Sequence, residues 1–377
     1  MTTLFGTDID FQSPFLTSQL ITYIGNKRAL LSFINNGIET VKSRLNKEKI
    51  FALDGFAGSG VVSRLLKYHC STLHSNDIEN YARIINSCYL SNKSDVDYDS
   101  VTNWINRLNS ISDTDLYSGF ITKNYAPEND DDIKHGERVF YTHKNAMRID
   151  TMKKIIFSIV PESIKPFVLA PLLVQASIHT NTSGVFKGFH KKDGIGHFGG
   201  RGENCLERIK GEIKLQTPIL SDSECDVTIL SDDINNIVKQ DKCGGYDLVY
   251  YDPPYNQHPY GSNYFMLNII ANPSETTEIQ NGVSGISVDW YKSAYNKRDA
   301  AVSAMDDLIK NTKSKFILIS YNNEGIIPLE VFRGILEKYG CVSLVERDYN
   351  TYRGSRNLKD RNIKVKELLW LLEKKDA

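Results

Sequence analysis

The sequence predicts an α/β protein with a mostly parallel sheet, interrupted by an inserted, partly helical second domain. Three observations carry this reading. Short apolar runs alternate with stretches of helical spacing along both ends of the chain. A glycine-rich turn joins the first such run to the helix after it. Residues 93–225 break the rhythm.

Residues 50–53 (IFAL) form a short apolar run, Asp54-Gly-Phe-Ala-Gly-Ser-Gly60 follows at once, and VVSRLLKYHC has helical spacing. That is strand, turn, helix. A second strand at 71–75 (STLHS) ends at Asn76-Asp77-Ile78-Glu79 and leads into a helix over 80–90. Further strands are expected at 226–230, 246–251, 315–320, 341–347 and 366–373, with helices at 151–160, 297–311 and 326–338. The last two strands, close in sequence, can pair antiparallel at one edge. Residues 1–92 and 226–377 are thus expected to form one domain, with 93–225 inserted into it. The insertion holds polar loops (PENDDDIKHGER), a buried helix (FVLAPLLVQASI) and the stretch NTSGVFKGFHKKDGIGHFGGRGEN.

A chain of 377 residues suits one large domain plus a second element, and contents of 41% hydrophobic and 24% charged residues are ordinary for a globular protein. No apolar run approaches the roughly 18 residues that span a membrane. The start, MTTLFGTDIDFQSPF, has no basic region followed by an apolar core, so a cytoplasmic location is expected. The six cysteines are scattered without a CxxC pair, which points to reduced structural thiols and away from zinc. A net charge of −1 does not announce a nucleic-acid binder. From Arg347 to Lys366, however, seven Lys/Arg face only Asp348 and Asp360. Such a patch suits phosphates, and equally a solvated surface.

Gly55, Gly58 and Gly60 leave room for a ligand beside the backbone between a strand and a helix N-terminus. DGFAGSG is not the GxGxxG spacing of pyrophosphate binding. Asp77, ending the next strand, is placed to accept two ribose hydroxyls, as an acid there does for NAD and for S-adenosylmethionine alike. Asp252-Pro253-Pro254-Tyr255 supplies a different chemistry. An amine on an aromatic ring is a poor nucleophile because its lone pair is delocalised. The Asp252 carboxylate and the Pro253 carbonyl can accept its two N–H bonds and align the lone pair, while the prolines keep both acceptors still. Tyr255 can stack on the flat base. A plain structural turn is the alternative reading of each motif taken alone.

Together these residues resemble the DNA adenine-N6 methyltransferases of the α group (Dam-like, D12 class), and the matching segments run in that group's order over most of the chain. Tyr23-Ile-Gly-Asn-Lys27 is similar to the segment that closes over the cofactor, with Tyr23 and Lys27 at its contact positions. Asp54, Gly55, Phe56, Gly58 and Gly60 match the methionine-side loop, and Asp77 with Ile78 the ribose site. Asp233, favoured over Asp232, matches the acid near the adenine. Asp252 through Tyr255 match the catalytic tetrapeptide, with Asp252 also touching the cofactor. The insertion resembles a target-recognition domain. Lys187, Lys191, Lys192 and Arg201 are its expected DNA contacts, interleaved with Phe186 and Phe189, which can fill the space left by a flipped base. Arg353 and Arg356 are further expected DNA contacts, in an ending similar to that of restriction-system modification enzymes.

The resemblance implies a Rossmann-like S-adenosylmethionine-dependent methyltransferase fold. It also implies transfer of a methyl group to N6 of an adenine flipped out of double-stranded DNA. A cognate restriction endonuclease acting on the same site is a candidate partner. No metal is implied, and a monomer is favoured. Cytosine N4, RNA adenine or a protein glutamine are the rival acceptors, and a catalytically silent DNA-binding module is the rival class. A cytosine-C5 enzyme is excluded because none of the 11 prolines precedes a cysteine.

Overall fold

The computed structural model describes residues 9–200, 204–240, 245–350 and 364–375. Its strands are β1 (Ile50–Asp54), β2 (Cys70–Asn76), β3 (Lys191–Lys192), β4 (Ile195–Gly196), β5 (Asp226–Leu230), β6 (Tyr246–Tyr251), β7 (Ser314–Asn322), β8 (Gly340–Asn350) and β9 (Lys364–Lys374). Seven of them form one sheet in the order β5-β2-β1-β6-β7-β9-β8. The first five in that order run parallel. β9 is antiparallel to both β7 and β8.

The expected strands are all present, and β5 and β6 have the bounds read from the sequence. The antiparallel pair is at the edge, with β9 on the inside. The run Leu368-Leu-Trp-Leu-Leu372 is buried throughout, the pattern of a strand covered on both faces. β8, exposed from Ser343 to Asp348, takes the outside.

Alternation within β6 divides the two cores. Leu248 and Tyr250 pack with Ile34, Ile38 and Val41 of helix Leu31–Leu45 and with Leu65 and Leu66 of helix Val61–His69. Val249 and Tyr251 face the other way, onto Met305 and Leu308 of helix Arg298–Asn311 and Phe332 and Leu336 of helix Leu329–Glu337.

A third core joins helices Tyr98–Asn109, His143–Ile159 and Lys165–Ile178 to helices Asn80–Tyr89 and Phe265–Ala271, so residues 93–225 share a core with the sheet-bearing part. Helix His143–Ile159 starts earlier than the expected residue 151. Thr142 caps it by accepting the Asn145 amide at 3.2 Å. Its early buried positions include Asn145, Arg148 and Asp150, whose polarity hides the buried face from a hydrophobicity reading.

From β1 the chain winds through β2 to β5, then returns to β6 on β1's other side. The β1/β6 boundary is therefore a topological switch point, where α/β sheets open a crevice at the strands' carboxyl ends. Among the described residues, no helix is long and apolar enough to cross a membrane, and no His/Cys/Asp/Glu cluster could hold a metal.

Candidate functional site

Most of the candidate site residues gather in that crevice because they close or follow a strand. Asp54 closes β1 opposite Tyr250 of β6, Asn76 and Asp77 end β2, Asp232 and Asp233 follow β5, and Asp252 follows β6. They line a cleft of about 900 Å³, counting the space open to solvent. Asn76 laces three of the strand ends together. Its side-chain amide donates to the carbonyls of Gly55 (3.2 Å) and Asp232 (3.1 Å), and its Oδ1 accepts from the Asp232 amide at 3.2 Å.

The glycine turn is braced from several sides. Gly58, at φ 52°, donates its amide to Asp77 Oδ2 at 2.7 Å, and the Glu79 amide reaches Asp77 Oδ1 at 2.9 Å. The Tyr23 ring covers Gly58 so closely that a Cβ there would meet it at 2.7 Å. Tyr23 in turn stacks on Tyr260 and Tyr264, with centroids 4.9 Å apart in each case. Gly60 (φ 76°) has a different reason to be glycine, because a Cβ would come within 2.2 Å of Asn86 on the neighbouring helix. It does not face the cleft, whereas Gly55, Phe56 and Ile78 do. Asp233 lies on the opposite wall, accepting the Asn235 amide at 2.8 Å and the Tyr291 hydroxyl.

Charge in the cleft is lopsided. Among the described residues, Asp54, Asp77, Glu79, Asp232, Asp233 and Asp252 line it against one cation, Lys27. Burial pushes Asp54 up to about 7, partly offset by the Ser63 hydroxyl that donates to it at 2.6 Å. Burial likewise pushes Asp77 to about 6 and Glu79 to about 7, each partly offset by its hydrogen bonds. Such a cavity repels a pyrophosphate and suits a ligand carrying positive charge. The donor set therefore fits S-adenosylmethionine, with its sulfonium and ammonium groups, better than a dinucleotide.

At the other end of the cleft, Asp252 and Pro254 form the wall and Pro253 is buried behind them. The Tyr255 carbonyl accepts the Ile326 amide at 2.9 Å, and its ring meets Tyr321 edge-on. Lys27 does line the cleft, but its ammonium points to carboxylates of the protein itself. It is 3.0 Å from Asp252 Oδ1 and 3.2 Å from Glu367 Oε1. Burial raises the Asp252 carboxyl to about 6. Lys27 holds it down and Glu367 pushes it further up. Glu367, Tyr260, Tyr291 and Asn86 adjoin the candidate residues and are neighbours that sequence reasoning does not find, since none belongs to a local pattern.

Within residues 93–225, β3 and β4 make a two-residue hairpin around Asp193-Gly194, whose positive φ values (51° and 84°) match the turn such hairpins favour. Asn181, fully buried, anchors it by donating to the carbonyls of Val139 (2.8 Å) and His197 (2.9 Å). Lys187, Lys191 and Lys192 are exposed on this rim. Phe186 corrects an expectation, because it is 2% exposed and packed against Phe140 and Phe265 in the core. Phe189 leans edge-on against Phe140 at 5.2 Å. Both rings hold the loop down, so Phe186 cannot fill the space of a displaced base. Arg201, Arg353 and Arg356 lie outside the described residues.

A family model described as D12 class N6 adenine-specific DNA methyltransferase matches residues 23–335. Type II methyltransferase M.NlaIII of Neisseria lactamica is 27% identical over 363 residues, covering 94% of this chain and 99% of that protein. Type II methyltransferase M.CviAII of Paramecium bursaria Chlorella virus 1 is 29% identical, covering 88% and 93% respectively. Modification methylase StsI of Streptococcus sanguinis is 29% identical over 94% of this chain, which spans 52% of that longer protein.

Proposed function

The chain belongs to the D12 class N6 adenine-specific DNA methyltransferases, and from that premise we propose that it methylates one adenine of a fixed sequence in double-stranded DNA, using S-adenosylmethionine, as the modification enzyme of a restriction-modification system. The observation that carries this reading is the placement of Asp252 at the sheet's switch point, beside a cleft whose described lining carries six carboxylates and one ammonium. The relatives' names support the restriction-modification setting, and with it a cognate endonuclease acting on the same sequence.

S-adenosylmethionine supplies a methyl group on positively charged sulfur, which leaves as a neutral thioether. Asp77 accepts the ribose hydroxyls, Asp233 faces the adenine end, and Tyr23 closes over the glycine turn. Asp252 and the Pro253 carbonyl accept the two N–H bonds of the target amine, so that its lone pair points into the cleft. Tyr255 stacks on the flipped base. As the new N–C bond forms and the S–C bond breaks, positive charge develops on N6, and the nitrogen then gives one proton to water to restore the neutral amine. Residues 93–225 form the target-recognition domain, and their exposed lysines hold phosphates.

Expression in a methylation-free host, followed by sequencing of its DNA with detection of modified bases, tests the reading. N6-methyladenine at one recurring sequence is the expected result. Unmodified DNA, or N4-methylcytosine instead, overturns it.

A further inference from the structure

We propose that Glu367 is a positioning residue for methyl transfer, sharing the Lys27 ammonium with Asp252 so that the carboxylate facing the target amine keeps its negative charge uncancelled. The proposal rests on the reading of Asp252 as the acceptor of the amine's N–H bond. Glu367 lies on β9, beyond residues 23–335 that match the family model, in a run that reads as ordinary edge-strand sequence. In the fold it is 4% exposed, as is Lys27. The Ser320 hydroxyl of β7 donates to its Oε1 at 2.5 Å, and the Lys27 ammonium is 3.2 Å from the same oxygen. The other contact of that ammonium is Asp252 Oδ1 at 3.0 Å, and a third is the Gly25 carbonyl at 3.3 Å.

The charge count gives this arrangement its meaning. A lone Lys27–Asp252 pair would be neutral, and a neutral pair does little for an amine that turns cationic as it accepts a methyl group. With Glu367 the trio carries one net negative charge, held away from water where electrostatic effects are strong. A buried cation held between two fixed acceptors also cannot swing into the space the amine must enter. Other groups facing Asp252 are Asp54 across the β1/β6 boundary and the phenols of Tyr250 and Tyr260. Among the described residues the Lys27 ammonium instead contacts Asp252, Glu367 and the Gly25 carbonyl.

The test is single-turnover methylation of duplex DNA by the full-length chain, followed across pH for the parent and for E367Q. The glutamine keeps the side chain's shape and an acceptor for Ser320 while removing one charge. The plateau rate should fall roughly tenfold to a hundredfold. The acid limb should move to lower pH, because Asp252 no longer sits beside a second carboxylate and ionises more easily. Calorimetric affinity for S-adenosylmethionine should stay within about twofold, since the binding walls are untouched. E367D, which restores the charge, should return the acid limb to the parent's position. An E367Q enzyme with the parent's plateau overturns the proposal. So does a lowered plateau with an unmoved acid limb, the mark of a packing defect. Should E367Q fail to fold, E367D decides alone. The parent's acid limb with a rate within about fivefold supports the proposal, and a loss as deep as that of D252A overturns it. Failure of the underlying reading looks different, because D252A itself would then methylate DNA.

Discussion

The carboxyl ends of β1, β2, β5 and β6 and the rim around the β3–β4 hairpin are built on opposite plans. At the strand ends, acids are tied to the fold by specific partners, Asp77 by the Gly58 and Glu79 amides, Asp54 by the Ser63 hydroxyl and Asp252 by the Lys27 ammonium. At the hairpin the backbone is fixed through Asn181, while Lys187, Lys191 and Lys192 reach into solvent. The contrast teaches what each task demands. Orienting an amine and a methyl donor requires atoms fixed to a fraction of an ångström. Holding a phosphate backbone requires charge and reach, and a rigid side chain would be a handicap on a deformable duplex.

If that division is right, damage at the strand ends should be deep and specific, and damage at the rim shallow and general. D252A should lower the methylation rate by roughly 10²–10³ while leaving the melting temperature near the parent's. Activity above about a tenth of normal would remove Asp252 from its role. D77A should weaken S-adenosylmethionine binding by about 1.5–3 kcal/mol, roughly ten- to a hundredfold, through lost ribose bonds and a loosened Gly58. Calorimetry measures it, and unchanged affinity would shift the ribose site to Asp54.

Replacing Lys187, Lys191 and Lys192 together by alanine should weaken binding to all duplexes alike, by roughly tenfold at moderate salt, and reduce the salt slope by about 2–3. An unchanged slope in a titration series would remove the hairpin from the DNA interface. A smaller effect separates the regions by pH. Asp54 and Glu79 are pushed up to about 7 and Asp77 to about 6. A cationic ligand favours their ionised forms, so binding releases protons and should tighten by about three- to tenfold as pH rises through this range, then level off. Below it the acids are protonated and the advantage is lost. A pH-independent dissociation constant would show that these acids do not face the ligand's charge.

How much was legible in the sequence follows the same divide. The strand-end motifs are local. A carboxylate or glycine directly after an apolar run marks its own position, so Asp54, Gly58, Asp77 and Asp252 could be placed from spacing alone. Helix Leu31–Leu45 was legible in the same way, since buried Ile34, Ile38 and Val41 stand at i, i+4 and i+7, the spacing of one helical face, although the expected elements above omit it. Lys27 lines the cleft, as the family resemblance led one to expect, but its pairing was not legible. Its two acidic partners are 225 and 340 residues away in sequence, and only the pairing of β7 with β9 brings Glu367 beside it. Phe186 misled because an aromatic among lysines and glycines looks available until the Phe140–Phe265 core claims it.

The position of β9 has a consequence for biosynthesis. It follows β7 and β8 in the chain yet lies between them in the sheet. A nascent chain on the ribosome can therefore complete the parallel half of the sheet while its antiparallel edge stands open. β8 has no partner strand until β9 arrives, and Lys27 meets only one of its two carboxylates. The same late strand that seals the exposed flank of β7 against other chains also delivers Glu367. Closing the aggregation-prone edge and completing the charge set at Asp252 are one event, so a chain stalled before β9 carries both defects together.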